Sequence, residues 1–225
     1  MTRYRLHEDA DVVVPVVGAS WLSPESRDIC AEAGMGWLDL AEASDVSLGH
    51  VSNVRSALRD REWAKVDDEG LHLTAPDALL DAWRDSYEPV RGKRSFWYSI
   101  LHGRQWEETL RAALDRPHTA GHAMLGGLSA AQWLAPYLRG NMTTLYADPA
   151  VMPELIEALK LKPSKSGANV EVIEPDDPAI LKERVEIPGA PPVSSPVLTY
   201  LDLSRLDDRG REAAEHLREQ LLKWH

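Results

Sequence analysis

Cysteine, phenylalanine and long apolar runs are almost missing from this chain of 225 residues, which has one Cys and one Phe. The lone Cys30 excludes an intramolecular disulfide framework and any zinc site built on cysteines. No apolar stretch approaches the ~18 residues that a membrane-spanning helix requires. The opening run Met1-Thr2-Arg3-Tyr4-Arg5-Leu6-His7-Glu8-Asp9 has no apolar h-region, so a secretory leader is not expected and the expected location is cytoplasmic. Basic charge is scarce as well. Lys+Arg number 25 against 36 Asp+Glu, a net of −11, which argues against a protein that coats nucleic acid regardless of sequence. Of the four spans 1–36, 37–87, 88–116 and 117–225, only 88–116 is net basic, with six basic against four acidic residues and led by Arg91, Lys93, Arg94 and Arg104. Residues 37–87 are the most acidic, with five basic against eleven acidic.

What is present suits a folded protein. Hydrophobic residues make up 44% and charged residues 27%, ordinary globular values in a chain long enough for one or two buried cores. Val12-Val13-Val14-Pro15-Val16-Val17 reads as a buried strand. Ser23-Pro24 starts a helix to about Ala33, with Gly34 as its stop. Met35–Leu40 fits either a short strand or the start of a helix. The later part alternates strands and helices. Strands are expected at Ser95–Leu101, Ala120–Met124, Thr143–Tyr146, Asn169–Ile173 and Val197–Leu203. Helices are expected at Trp106–Leu114, from a Ser129 cap to Leu138, at Pro153–Leu159 and at Arg209–Leu222. Breakers place linkers at Tyr87–Lys93, Pro163–Ala168 and Gly189–Pro196. Six of the eight Trp residues, at 37, 63, 83, 97, 106 and 133, fall on apolar positions and read as core.

The sharpest pattern lies between. Ser47 caps a helix with Leu48, Val51, Val54 and Leu58 at three-four spacing, which buries one face. The opposite face carries Gly49, Ser52, Asn53, Ser56 and Arg59, with His50 and Arg55 on its flanks. After Trp63, residues 64–73 alternate about an Asp67-Asp68-Glu69-Gly70 turn and read as a β-hairpin. Thr74-Ala75-Pro76-Asp77 then has the capping-box pattern ahead of Leu79, Leu80, Trp83 and Tyr87. Short helix, turn, helix, hairpin, helix is the order of a winged helix-turn-helix, whose second helix enters a major groove while the hairpin lies beside the phosphates. The same order also occurs in small domains with no nucleic-acid ligand.

No complete catalytic constellation is legible. Met124-Leu125-Gly126-Gly127-Leu128-Ser129 is a strand, a Gly-Gly turn and a helix start, an arrangement able to bind phosphate. Nucleotidyl transfer also needs paired carboxylates for Mg²⁺. The next strand supplies only Asp148, and Asp202 is distant in sequence. Ser129 is followed by Ala130-Ala131 and is no nucleophile elbow. His118 and His122 lack a His-Glu-x-x-His frame. No metal, cofactor or catalytic residue is therefore expected, and a nucleotide-binding enzyme built on Gly126-Gly127 stands as the alternative. A protein–protein module with a winged helix that binds no DNA is a third reading, favoured by the acidity of 37–87.

Several segments are together familiar. Val46-Ser47-Leu48-Gly49-His50-Val51-Ser52-Asn53-Val54-Arg55 and Leu79-Leu80-Asp81-Ala82-Trp83-Arg84 resemble the winged-helix half of the AbiEi family of type IV toxin–antitoxin antitoxins and regulators. Leu128–Tyr137, Tyr200-Leu201-Asp202-Leu203 and Arg209–Arg218 are similar to its C-terminal domain. The resemblance implies an α+β protein: a short N-terminal strand–helix segment (1–40), a winged helix-turn-helix (41–88) and a mixed α/β C-terminal domain (89–225). It implies binding to inverted repeats in the chain's own promoter as double-stranded DNA. It also implies functional pairing with a nucleotidyltransferase-type toxin, without a stable direct complex. Ser47, His50, Ser52, Asn53, Arg55 and Arg59 would face the DNA, with Asn53 and Arg55 on base edges, Ser47 and Ser52 on phosphate, and Lys65 assisting from the wing. In relatives the segment like Gly36–Leu40 usually continues into a Gly-Asn and a further stretch. Here Leu40 runs almost directly into Ala41–Ser47, so the first helix of the module is expected to be incomplete.

Overall fold

A computed structural model describes residues 16–19, 36–39, 48–67 and 70–224. The chain divides into two compact units, Arg5–Asp85 and Ser86–Lys223.

In the first unit, β1 (Val16–Ala19) pairs in parallel with β2 (Gly36–Asp39), Val16 opposite Gly36. The open choice at 35–40 is thus settled as a strand. Residues 12–15, the expected helix from Ser23, and the stretch 40–47 lie outside the described residues. Helix α1 (Leu48–Asp60) is followed by the hairpin β3 (Ala64–Asp67) and β4 (Gly70–Leu73), then by α2 (Pro76–Ser86). The hairpin pairs Ala64 with Leu73 and Lys65 with His72. Val51, Ala64 and Leu80 are buried. Val54, expected inward, is 46% exposed. The packed face runs Val51, Arg55, Leu58, a four-then-three spacing that rotates Val54 outward. Trp83, expected in the core, is 50% exposed.

The second unit is built on a seven-stranded mixed sheet. In chain order its strands are β5 (Gly92–Ser99), β6 (Ala123–Leu125), β7 (Thr143–Ala147), β8 (Leu161–Pro163), β9 (Val170–Pro175), β10 (Arg184–Val185) and β11 (Val193–Ser194). Their spatial order is β10-β11-β6-β7-β9-β5-β8. The β11–β6 and β7–β9 pairs are parallel and the others antiparallel. The helices are α3 (Gly103–Leu114), α4 (Gly127–Leu134), α5 (Met152–Ala158), α6 (Pro196–Ser204) and α7 (Asp208–Leu221).

Strand alternation sends successive side chains to opposite faces. One face places Leu125, Leu145, Val170 and Val172 in a core with Leu110 and Leu114 of α3 and Leu155 of α5, against which Trp97, Trp106 and Trp133 pack. The other carries Met124, Tyr146 and Ile173, all buried, and Tyr146 reaches α6 through Asp202.

Three expectations are corrected here. Val197–Leu203 is not a strand but the helix α6. Its apolar residues point in every direction because Leu198, Thr199, Tyr200, Leu201 and Leu203 are all buried, the pattern of a helix enclosed on all sides. Its start was written in Ser195-Pro196, and the Ser195 side chain accepts the Leu198 N–H at 3.2 Å. The expected linker Gly189–Pro196 contains β11, and Pro191, Pro192, Val193 and Ser194 are buried. The Leu125 N–H donates to the Pro192 carbonyl at 2.9 Å. Ser129 is not a cap. Gly126 holds the N-cap position, while Ser129 Oγ accepts the Thr144 N–H at 3.0 Å and donates to the Met142 carbonyl at 3.3 Å. That helix ends at Leu134, two residues before Pro136.

Candidate functional site

Two places in the chain are candidates from the sequence, one in each unit. The first is α1 with its hairpin. The helix ends in a turn where Glu62 adopts φ 60°, and the N–H groups of Glu62 and Trp63 donate to the Arg59 and Leu58 carbonyls at 2.9 Å each. The Trp63 carbonyl in turn accepts from Thr74 at 2.8 Å and from Ala75 at 3.3 Å. Thr74 Oγ1 donates to the Glu62 carbonyl at 2.9 Å, so the helix end, the hairpin base and the start of α2 are tied together at Trp63. The Arg61 guanidinium lies 5.4 Å from the Trp63 ring centroid, a cation–π contact.

On this frame Ser52, Asn53, Ser56 and Arg59 of α1 are exposed, and Lys65 is exposed on β3. Arg55 is half-buried on the packed face. His50 lies in the first turn of α1, and Ser47 falls outside the described residues. The hairpin turn is acidic by sequence, Asp67-Asp68-Glu69, which leaves Lys65 near the hairpin base as its cation.

The second place is the Gly126-Gly127 turn. It does not stand open for a phosphate, because a carboxylate of the chain itself occupies it. Asp202 of α6 accepts from Tyr87 Oη at 2.6 Å and from Tyr146 Oη at 2.7 Å, and from the Gly127 backbone N–H. The helix N-terminus thus holds an internal anion. Burial pushes the Asp202 carboxyl above the usual carboxylate range, opposed by the two tyrosine hydrogen bonds, the Arg94 charge and the Gly127 N–H. Burial, then the Asp202 charge, raises both tyrosine hydroxyls well above their ordinary value, so both stay protonated as donors.

Gly126 is required by close approach. A Cβ there would lie 2.4 Å from Cε2 of Tyr146. Tyr87, expected in a linker, is buried, and the Arg205 guanidinium donates to its carbonyl. Spacing along the sequence did not reveal this cluster, because its members stand 115 and 56 positions apart.

Asp148, His122 and His118 lie elsewhere in the second unit. Asp148 caps a short 3₁₀ turn by accepting the Ala150 N–H at 2.8 Å, and His122 Nδ1 lies 3.4 Å from its other oxygen. His118 is exposed, and Cys30 lies outside the described residues. Among the described residues no group of three His, Cys, Asp or Glu side chains is placed to hold a metal ion. No helix among them is long and apolar enough to cross a membrane. A half-open groove of about 450 Å³ runs between α3 and α4, lined by Trp106, Leu128, Trp133 and Met142 and with Arg139 at its edge.

The comparison with protein families gives one finding. Residues 72–223 match the family described as transcriptional regulator, AbiEi antitoxin, type IV toxin–antitoxin system. No curated protein and no solved structure matches the chain. The matched span runs from β4 through α2 and the whole seven-stranded sheet to the end of α7, well over half of the sequence. By that match the chain belongs to the AbiEi antitoxin family of transcriptional regulators of type IV toxin–antitoxin systems.

Proposed function

We propose that this chain binds the DNA upstream of its own gene and so regulates its own locus as the antitoxin. In this reading residues 41–88 form a winged helix-turn-helix with α1 as the recognition helix and β3–β4 as the wing. The observation that carries it is the exposed polar face of α1, with Ser52, Asn53 and Arg59, in a chain whose family is one of transcriptional regulators. A generic solvated face would be dominated by long Glu and Lys side chains. This one offers short groups that let a helix approach base edges, with an amide suited to adenine. Asn53 and Arg55 read bases, with His50 beside them. Ser47, Ser52 and Arg59 hold phosphates, and Lys65 adds a contact from the wing. The toxin partner, a nucleotidyltransferase, is countered without a lasting complex.

Fluorescence anisotropy with the upstream duplex against a shuffled duplex tests this at two salt concentrations. The expected preference is ~10³ or more, weakening as salt rises. Asn53→Ala and Arg55→Ala should each cost about 1–3 kcal/mol of specific binding, whereas Arg59→Ala should weaken both duplexes alike. Equal weak binding to both duplexes by the wild-type chain overturns the reading.

A further inference from the structure

The second unit carries a surface that neither the family description nor the proposed duplex binding uses. Along β5, residues 94, 96, 98 and 100 share one side. Phe96 is 47% exposed, Tyr98 46% and Ile100, just past the strand, 64%. The odd positions do the packing, with Trp97 against the core and Ser99 buried. Phe96 and Tyr98 stand roughly 7 Å apart along the strand, two rings on one open sheet face. Such a face of aromatic residues is costly to leave in water and marks a place of contact.

Its charge is specific too. Tyr98 stands directly opposite Lys162 of β8, the outermost strand. Residues 158–170 hold Lys160, Lys162 and Lys165 and no acidic residue, in a chain of net −11. All three lysines are exposed. Glu171, opposite Phe96 on β9, is paired with Arg94 at 2.8 Å.

A short edge strand with Lys and Pro is ordinary protection against strand pairing. That accounts for Lys162 and Pro163 but not for two exposed rings beside them. The segment after β8 is also held in place. The Ser164 N–H donates to the Phe96 carbonyl at 3.0 Å. Asn169 Oδ1 accepts the Ser99 N–H at 2.8 Å while its Nδ2 donates to the Ser99 carbonyl at 2.9 Å.

We infer that the Phe96–Tyr98 face with Lys160, Lys162 and Lys165 binds single-stranded nucleic acid, two successive bases stacking on the rings while the lysines follow the phosphates. Aromatic rings at strand spacing suit unstacked bases, whereas a duplex keeps its bases stacked on one another. Single-stranded RNA and DNA share this chemistry and differ in the 2′-hydroxyl, so both are tested.

The experiment uses the full chain and labelled strands of about 12 nucleotides, RNA and DNA of one mixed sequence, together with the upstream duplex. The wild type is expected to bind at least one single strand at low salt, and Phe96→Ala/Tyr98→Ala to weaken that binding about tenfold or more. Lys162→Glu should also weaken it and reduce the salt dependence. Both rings are solvent-exposed, so circular dichroism and melting should match wild type. Upstream-duplex affinity should be unchanged in the ring variant, which keeps this site separable from the one on α1: loss of duplex binding alone leaves it standing. No binding of either single strand, or binding that the ring variant leaves intact, overturns the inference. So does a ring variant that alters only self-association by light scattering, which would make the face a contact between copies of the chain.

Discussion

Asp202 shows how one side chain decides the use of a whole turn. A Gly-Gly turn at a helix start offers N–H groups to an anion, and here Asp202 takes that of Gly127 from within the fold, while the Gly126 N–H donates to the Thr144 carbonyl. Asp202→Ala would leave the Tyr87 and Tyr146 hydroxyls and the Gly127 N–H without an acceptor. The expected loss is about 2–4 kcal/mol in urea unfolding, with a smaller loss for Asp202→Asn, which keeps one oxygen. The pH dependence has a definite sign. Burial raises this carboxyl in the folded state, so above the unfolded value of about 3.9 the native form holds the proton longer. Stability from this group is therefore fullest below that value, falls as pH rises towards the folded pKa and is level beyond it. Asp202→Asn does not titrate, so the gap between wild type and variant should shift in the variant's favour across that window. Urea denaturation of both proteins from pH 4 upward reads it.

At the scale of the element, α7 provides a prediction against intrinsic propensity. Replacing Gly by Ala in a helix usually adds up to about 1 kcal/mol. At Gly210 the added Cβ would lie 2.3 Å from Cβ of Leu206, so Gly210→Ala should instead cost about 1–3 kcal/mol, measured by thermal or urea unfolding. Legibility in the sequence follows the same physics. Elements with one solvated side kept a readable period: α3, expected from Trp106 to Leu114 and found from Gly103, and α7 with Ala213, Ala214 and Leu217 inward. Helix α6 had no solvated side to mark its period, and only its Ser-Pro start betrayed it. Strand β11 is two residues long and takes its place from β6 and β10 rather than from its own pattern. The Asp202 cluster and the exposed rings of β5 depend on strand register, which spacing along the chain does not encode.

For the molecule as a whole, Tyr87 belongs to the second unit by both its hydroxyl and its carbonyl. A fragment starting at Ser86 should accordingly melt about 3–10 °C above one starting at Arg91, which loses both attachments. Scanning calorimetry of the two fragments tests this. Equal melting temperatures would mean that Tyr87 contributes nothing to closing the unit.

The 115 positions between Tyr87 and Asp202 also set an order in time. A ribosome adding ~5–20 residues each second needs roughly 6–23 s to pass from one to the other. Throughout that interval every residue of the first unit's main span, Arg5–Asp85, has already been synthesised, while the carboxylate that holds the start of the second has not. Each newly made chain therefore passes through a stage in which its first unit is already complete while the second still waits for the carboxylate that closes it.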